Sequence, residues 1–239
     1  IGDTLTLFLP DEPVSSDILP VNLPIDIVYE DEDLIILNKA AGMPVHPSQG
    51  HHENTLANAL AYRFASRGEH FVFRAVNRLD RDTTGLLLIA KHKISGAFLS
   101  AMTAKKEIRR EYLAIVSGKP EESGTIDLPI ARKDSSTIER CIDMNHGEHA
   151  VTHYRCLDYR DDLDCSLVLL RLETGRTHQI RVHMKAIGHP LLGDFLYNPD
   201  YRFIERQALH SYTVAFRHPI TGEAMEFTAP MPEDFSFFY

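Results

Sequence analysis

No stretch of this 239-residue chain is apolar enough to cross a membrane as a helix; no uncharged run approaches the roughly 18 residues that a bilayer span requires. No signal-peptide pattern opens it, so the expected compartment is the cytoplasm, with no membrane partner. Cysteine is scarce. Cys141, Cys156 and Cys165 are odd in number and lack C-x-x-C spacing, which argues against a disulfide framework and for a reducing environment. Histidine is plentiful, but neither His51-His52-Glu53 nor the set His146, His149 and His153 makes a compact ligand motif such as H-E-x-x-H. No metal is therefore expected. Internal repeats and low-complexity tracts are absent. Net positive charge is lacking too: the formal charge is −9, which at first sight disfavours a polyanionic partner.

The charge distribution argues the other way. Residues 61–119 hold 12 Lys/Arg against 5 Asp/Glu, whereas residues 11–40 hold 8 acids and the single Lys39. Binding to a polyanion depends on where the positive face lies, not on the sum. With 44% hydrophobic and 25% charged residues, the composition is that of an ordinary globular protein of one large or two small domains.

The local patterns alternate between short strands and a few helices. Residues 1–10 alternate like a strand, and the proline-punctuated stretch up to residue 22 reads as a linker, leaving 23–239 as the main domain. Strands are predicted over 25–29, 34–38, 71–76, 86–90, 111–116, 151–157, 167–172, 208–216 and 224–229. Helices are predicted over 55–67 (Thr55 as N-cap), 94–102 and 177–186, the last with Thr177 as N-cap and Ile180, Met184 and Ile187 as its apolar stripe. Many strands with few intervening helices indicate an α+β fold: a mixed, largely antiparallel β-sheet core flanked by a few helices, with a central catalytic cleft.

Three segments carry chemistry. Residues 77–85 read N-R-L-D-R-D-T-T-G and run into an apolar strand; residues 175–183 read G-R-T-H-Q-I-R-V-H, followed by G-H-P-L-L-G-D at 188–194; and Arg110-Glu111-Tyr112 forms a third. Taken alone, Asp80 could simply accept backbone N–H bonds from its own turn, and Arg181 could be a surface helix arginine. In this order, however, the three segments resemble the signatures of the RluA-type RNA pseudouridine synthases. The loop K-A-A-G-M-P-V-H at 39–46 resembles a fourth motif, with Ala40 where proline is usual. Asn77 stands for a frequent histidine and Thr84 for a frequent serine.

The resemblance implies an enzyme that isomerises uridine to pseudouridine. That reaction breaks the glycosidic bond, turns the uracil and rejoins it through carbon 5, with no redox change, so no cofactor is required. Asp80 is then the catalytic carboxylate, Arg181 the cation that keeps it ionised, and Tyr112 the active-site tyrosine near the uracil. Arg78 is the side chain that fills the gap left by a flipped base. Lys39, His46, Arg176 and His178 are expected to contact RNA, while Asp82 is expected to be a solvated turn residue, and His183 and His189 to shape the pocket. The expected partner is ribosomal RNA of the large subunit, with tRNA as the alternative. The protein is expected to act as a monomer without an obligate protein partner. A non-catalytic RNA-binding homologue and a carboxylate-dependent nucleoside or glycoside hydrolase are the competing readings; a hydrolase ordinarily needs a second carboxylate across the bond.

Overall fold

The central strand of the structure, residues Thr84–Ala90, is buried along its whole length, as an uninterrupted T-G-L-L-L-I-A run demands when both faces of a sheet are covered. In the computed structural model, which describes residues 18–48 and 50–239, the chain order is β1 (Asp26–Glu30), β2 (Leu34–Lys39), α1 (Leu56–Ala65), β3 (Arg74–Ala75), β4 (Thr84–Ala90), α2 (Lys93–Ala104), β5 (Arg109–Ser117), β6 (Ser123–Asp127), β7 (Ile130–Arg132), β8 (Arg140–Ile142), β9 (Val151–Arg160), β10 (Cys165–Leu172), α3 (Gln179–Ala186), β11 (Leu209–Arg217) and β12 (Ala224–Thr228), closed by a 3-10 turn at Glu233–Phe238. The strand expected over residues 1–10, and the linker as far as residue 17, lie outside the described residues. Among the described residues no helix is long and apolar enough to cross a membrane.

The main sheet runs β1-β2-β4-β11-β5-β10-β9-β6, with β12 on β11 and β3 on β4; β7 and β8 form a separate two-stranded ribbon. All pairings are antiparallel except β4 with β11. The expected mixed, largely antiparallel α+β architecture is what the chain adopts. One face carries the core of Ile35, Leu37, Leu87 and Ile89 with α1 and α3; the other carries Leu34, Ile36, Leu86 and Leu88 with α2.

The parallel contact positions the functional turn. Strand β11 pairs with β4 only at Thr84 and Gly85, and β3 takes the far end of the same edge, at Ile89 and Ala90. The strand predicted over 71–76 therefore shrinks to Arg74–Ala75, because only that end of the edge is free. Phe71 and Phe73 leave the sheet to pack instead: Phe71 stacks on Phe64 at 4.1 Å, and Phe73 meets His46 edge-on at 4.7 Å. The short strands β6, β7 and β8 lie outside the predicted elements: β7 and β8 have three residues each, and β6, S-G-T-I-D, carries a single large apolar residue.

Gly85 is required by this packing. Its φ is +102°, and a Cβ there would lie 2.2 Å from the carbonyl oxygen of Ser211 on β11. Backbone strain and overpacking add at such a site, so Gly85→Ala is expected to destabilise the protein by roughly 3 kcal/mol or more. Gly42 also has a positive φ but open space around it, so Gly42→Ala should cost only about 1–2 kcal/mol. Chemical denaturation of the two variants checks this; equal losses would mean that the β4–β11 contact is not the constraint.

Candidate active site

Asp80 opens a turn between β3 and β4, closed by a hydrogen bond from the Thr83 N–H to the Asp80 carbonyl at 3.1 Å. Its carboxylate does not fold back onto that turn. It accepts instead from Arg181 Nη1 at 2.8 Å, across 101 residues of sequence. Asp31 shows the local alternative, accepting from the N–H groups of Asp33 and Leu34 at 2.8 and 2.9 Å.

Arg181 is buried on α3 and is shared between two acids. Its Nε and Nη2 donate to the two oxygens of Asp194 at 2.6 and 2.7 Å, leaving Nη1 for Asp80. Asp194 is fully buried, whereas the Asp80 side chain is 26% exposed. The face of the guanidinium packs against Tyr197 and Phe195, 5.1 and 5.5 Å from the ring centroids. Burial opposes the charge on Arg181, but the hydrogen bonds to Asp194 and the field of Asp80 outweigh it, and its pKa is raised further. Of the three linked side chains only Asp80 is accessible.

Four further groups hold the turn itself. Lys39 ends β2, is 2% exposed, and donates to the carbonyls of Ala40, Met43 and Arg81 at 2.7, 2.9 and 2.7 Å. Arg206, paired with Asp234, donates to the Asp82 carbonyl at 3.1 Å. Thr84 keeps the hydroxyl of the usual serine and places it 2.8 Å from His210 Nδ1. Asn77, where histidine is frequent, accepts from the Leu88 N–H at 3.0 Å and so ties the turn to β4.

The carboxylate opens into a cavity of about 810 Å³. Tyr112, buried on β5, forms part of its wall. The cleft brings together His46, Arg78, Asp80, Tyr112, Arg176 and His178. Arg78 is exposed at its mouth. His178 Nε2 lies 3.9 Å from Asp80, and its Nδ1 lies 3.0 Å from the Tyr197 hydroxyl. Burial lowers the pKa of His178, and burial with nearby Arg78 lowers that of His46, so both favour the neutral ring. Arg176 reaches the cleft already paired with Glu148 and donating to the His149 carbonyl.

Four expectations change. Lys39 does not present its ammonium to a ligand, because three backbone carbonyls engage it inside the protein. Thr177 does not cap α3. His178 takes the N-cap position in a left-handed conformation (φ 58°) without a side-chain cap bond, and Gln179 organises the entry instead: its Oε1 accepts from the Arg176 N–H at 2.9 Å, and its Nε2 donates to Val151. Asp82 is not fully solvated, since it pairs with Arg81 at 2.8 Å. His183 and His189 lie outside the cavity wall, bonded to Thr152 and Leu128 and to Ser117 respectively.

Asp194, Arg206 and Gln179 were not anticipated as site residues. An acid inside L-L-G-D-F-L-Y was the available signal for Asp194. Of the basic span, Lys106 and Arg109 are paired with Glu173 and Glu226, and Arg110 reaches the cavity. Asp31, Asp33 and His218 form a potential metal-ligating group on another part of the sheet, but His218 Nε2 already lies 3.0 Å from Asp31.

The chain matches a family model described as RNA pseudouridylate synthase over residues 33–186. It is 43% identical to the uncharacterized RNA pseudouridine synthase YjbO of Bacillus subtilis, over 98% of this chain and 82% of that protein. It is likewise 43% identical to the ribosomal large subunit pseudouridine synthase D of Zymomonas mobilis, over 92% of this chain and 73% of that one. Among solved structures, human RNA pseudouridylate synthase domain containing 1 superposes with a TM-score of 0.71 at 28% identity, covering 92% of this chain and 86% of the other.

Burial pulls Lys39 down from its ordinary value to about 7, while Asp82 and Asp80 oppose the fall. Between that value and the ordinary lysine range, the unfolded chain binds a proton that the folded chain does not. Stability contributed at Lys39 should therefore increase with pH above about 7, by at most about 1.4 kcal/mol per pH unit. Denaturation at pH 7 and 9 should show the wild type gaining on Lys39→Met. A constant difference would mean that the three carbonyls keep the ammonium charged throughout.

Proposed function

Because the chain belongs to the RNA pseudouridylate synthase family, we propose that it isomerises one or more uridines of large-subunit ribosomal RNA, in the cytoplasm, with residues 23–239 as the catalytic domain. Support for the substrate comes from relatives named ribosomal large subunit pseudouridine synthase D, among them proteins of five bacteria that are 41–44% identical to this chain. The observation that carries the catalytic reading is the Asp80–Arg181–Asp194 arrangement: an accessible carboxylate held by an arginine that a second, buried carboxylate keeps in place.

Each side chain then has a task. Asp80 supplies the carboxylate that acts while the bond from the ribose to uracil N1 breaks. Tyr112 lies against the uracil while the base turns and the new carbon–carbon bond forms; the proton on carbon 5 then passes to solvent beside the phenol oxygen, and N1 takes one up. The cleft retains the freed base. Arg78, exposed at the mouth, occupies the vacancy that a flipped uridine leaves in its stack. The hydrolase reading is disfavoured because the second acid, Asp194, is buried behind Arg181 and is not placed across the bond.

Ribosomal RNA labelled with tritium at carbon 5 of uridine tests this directly. Wild type should release tritium without free uracil. Asp80→Asn should fall to background with RNA affinity retained within several-fold, and Asp82→Asn should stay active. Free uracil would indicate a hydrolase, no release a binding protein, and exchanged behaviour of the two variants the wrong carboxylate. Loss of a pseudouridine from tRNA, and not from large-subunit RNA, in a deletion strain would overturn the proposed substrate.

A further inference from the structure

Behind Arg78 the catalytic cleft continues. A second cavity of about 350 Å³ shares Arg78, Gly175, Arg176 and Thr177 with the first, and its far wall is the β7–β8 ribbon. Arg132 and Arg140 stand directly opposite each other on that ribbon, and both line this cavity. His146 joins them from the loop that follows.

A directly opposed pair of like charges weakens a two-stranded ribbon, and these strands have only three residues each with which to compensate. Neither arginine is ion-paired among the described residues. Arg140 Nη1 reaches only the carbonyls of Ile138 and Glu139, at 3.2 and 3.3 Å. Of the nearby acids, Glu139 pairs with Lys133, and Asp143 accepts from the N–H groups of Asn145 and His146, its other oxygen 3.7 Å from the His146 ring; Glu148 also lines the cavity but is paired there with Arg176. What satisfies two facing guanidinium groups is an anion between them, and planar N–H forks match the oxygens of a phosphate.

The ribbon is also attached to the catalytic group. The Arg140 backbone N–H donates to the Tyr197 hydroxyl at 2.8 Å, and the same hydroxyl meets His178, which borders Asp80. The Tyr197 ring packs on Arg181. A group held by the ribbon is thereby kept at a set separation from the carboxylate.

Building on the RNA-isomerising reading above, we propose that Arg132 and Arg140 form a phosphodiester-binding subsite, which seats one linkage of the RNA strand next to the target uridine. The subsite lies outside the basic span 61–119 and extends RNA recognition past Arg78 to a linkage that does not react.

Single methylphosphonate linkages, which are uncharged, placed one at a time along a substrate oligonucleotide test the assignment. For Arg132→Ala/Arg140→Ala the RNA Kd should rise about tenfold, and the log–log salt slope should flatten by roughly 0.7, the value for one phosphate of a single strand. One methylphosphonate position near the target should weaken wild-type binding while leaving the double variant unaffected. Arg132→Lys/Arg140→Lys should recover most of the salt slope, which a misfolded ribbon would not. The proposal is overturned if the alanine variant keeps wild-type affinity and slope, if every linkage penalises both proteins equally, or if free inorganic phosphate protects the ribbon arginines while no linkage in the RNA is singled out. A wild type that binds with this pattern but forms no pseudouridine would count against the isomerase reading and not against the subsite.

Discussion

One guanidinium between two carboxylates is the interaction on which the rest of the site depends. Desolvating an arginine costs several kcal/mol unless its hydrogen bonds are completed inside the protein. Here Asp194 takes Nε and Nη2, and Asp80 takes Nη1. The fork toward Asp194 sets the plane of the group, and that plane aims the third donor at Asp80. Lysine could supply the charge but not the geometry, because an ammonium cannot grip one carboxylate in a fork while presenting an in-plane donor to another. Asp194 is held in turn by the N–H groups of Leu196 and Tyr197 at 3.0 and 3.2 Å.

The backbone of the Asp80 turn is fixed in the same manner, by side-chain N–H donors removed from water. Lys39 binds the Arg81 carbonyl and Arg206 binds the next one, of Asp82. Two buried side chains from distant parts of the chain thus hold consecutive peptide groups of the turn. Gly85, at the start of β4, lets β11 approach close enough for Arg206 and His210 to reach it. The D-R-D-T-T-G pattern of residues 80–85 is therefore largely a packing requirement around one partly exposed carboxylate. Of these six residues only Asp80 lines the large cavity, with the exposed Arg78 just before it on the same wall.

Much of this was legible in the chain. The apolar runs of β4, β5 and β10 and the capping Thr55 of α1 all follow from local pattern, and the structure places them within a few residues of expectation. The pairing of Asp80 with Arg181 came from motif resemblance, since nothing local joins positions 101 residues apart. What stayed hidden depended on direction and on distant partners. Lys39 reads as an ordinary basic residue of a Gly/Pro-rich loop, and only the strand register turns it inward. Thr177 fits the grammar of a helix cap, yet Gln179 does that work because β9 offers its side chain partners. Asp194 ends the G-H-P-L-L-G-D segment, but its partner is visible only once Arg181 is brought against it. Arg132 and Arg140 are eight positions apart, and only the ribbon pairing sets them face to face.

The central claim, that Asp194 acts on Asp80 through the guanidinium they share, is tested most directly by single-turnover isomerisation measured beside RNA binding in Asp194→Asn. Asparagine keeps the size of the side chain and one acceptor oxygen but weakens the fork that aims Arg181 at Asp80. The account predicts a single-turnover rate lowered by about tenfold or more with RNA Kd unchanged within several-fold. A rate identical to wild type, or a loss of rate that only follows a loss of RNA binding, would contradict it.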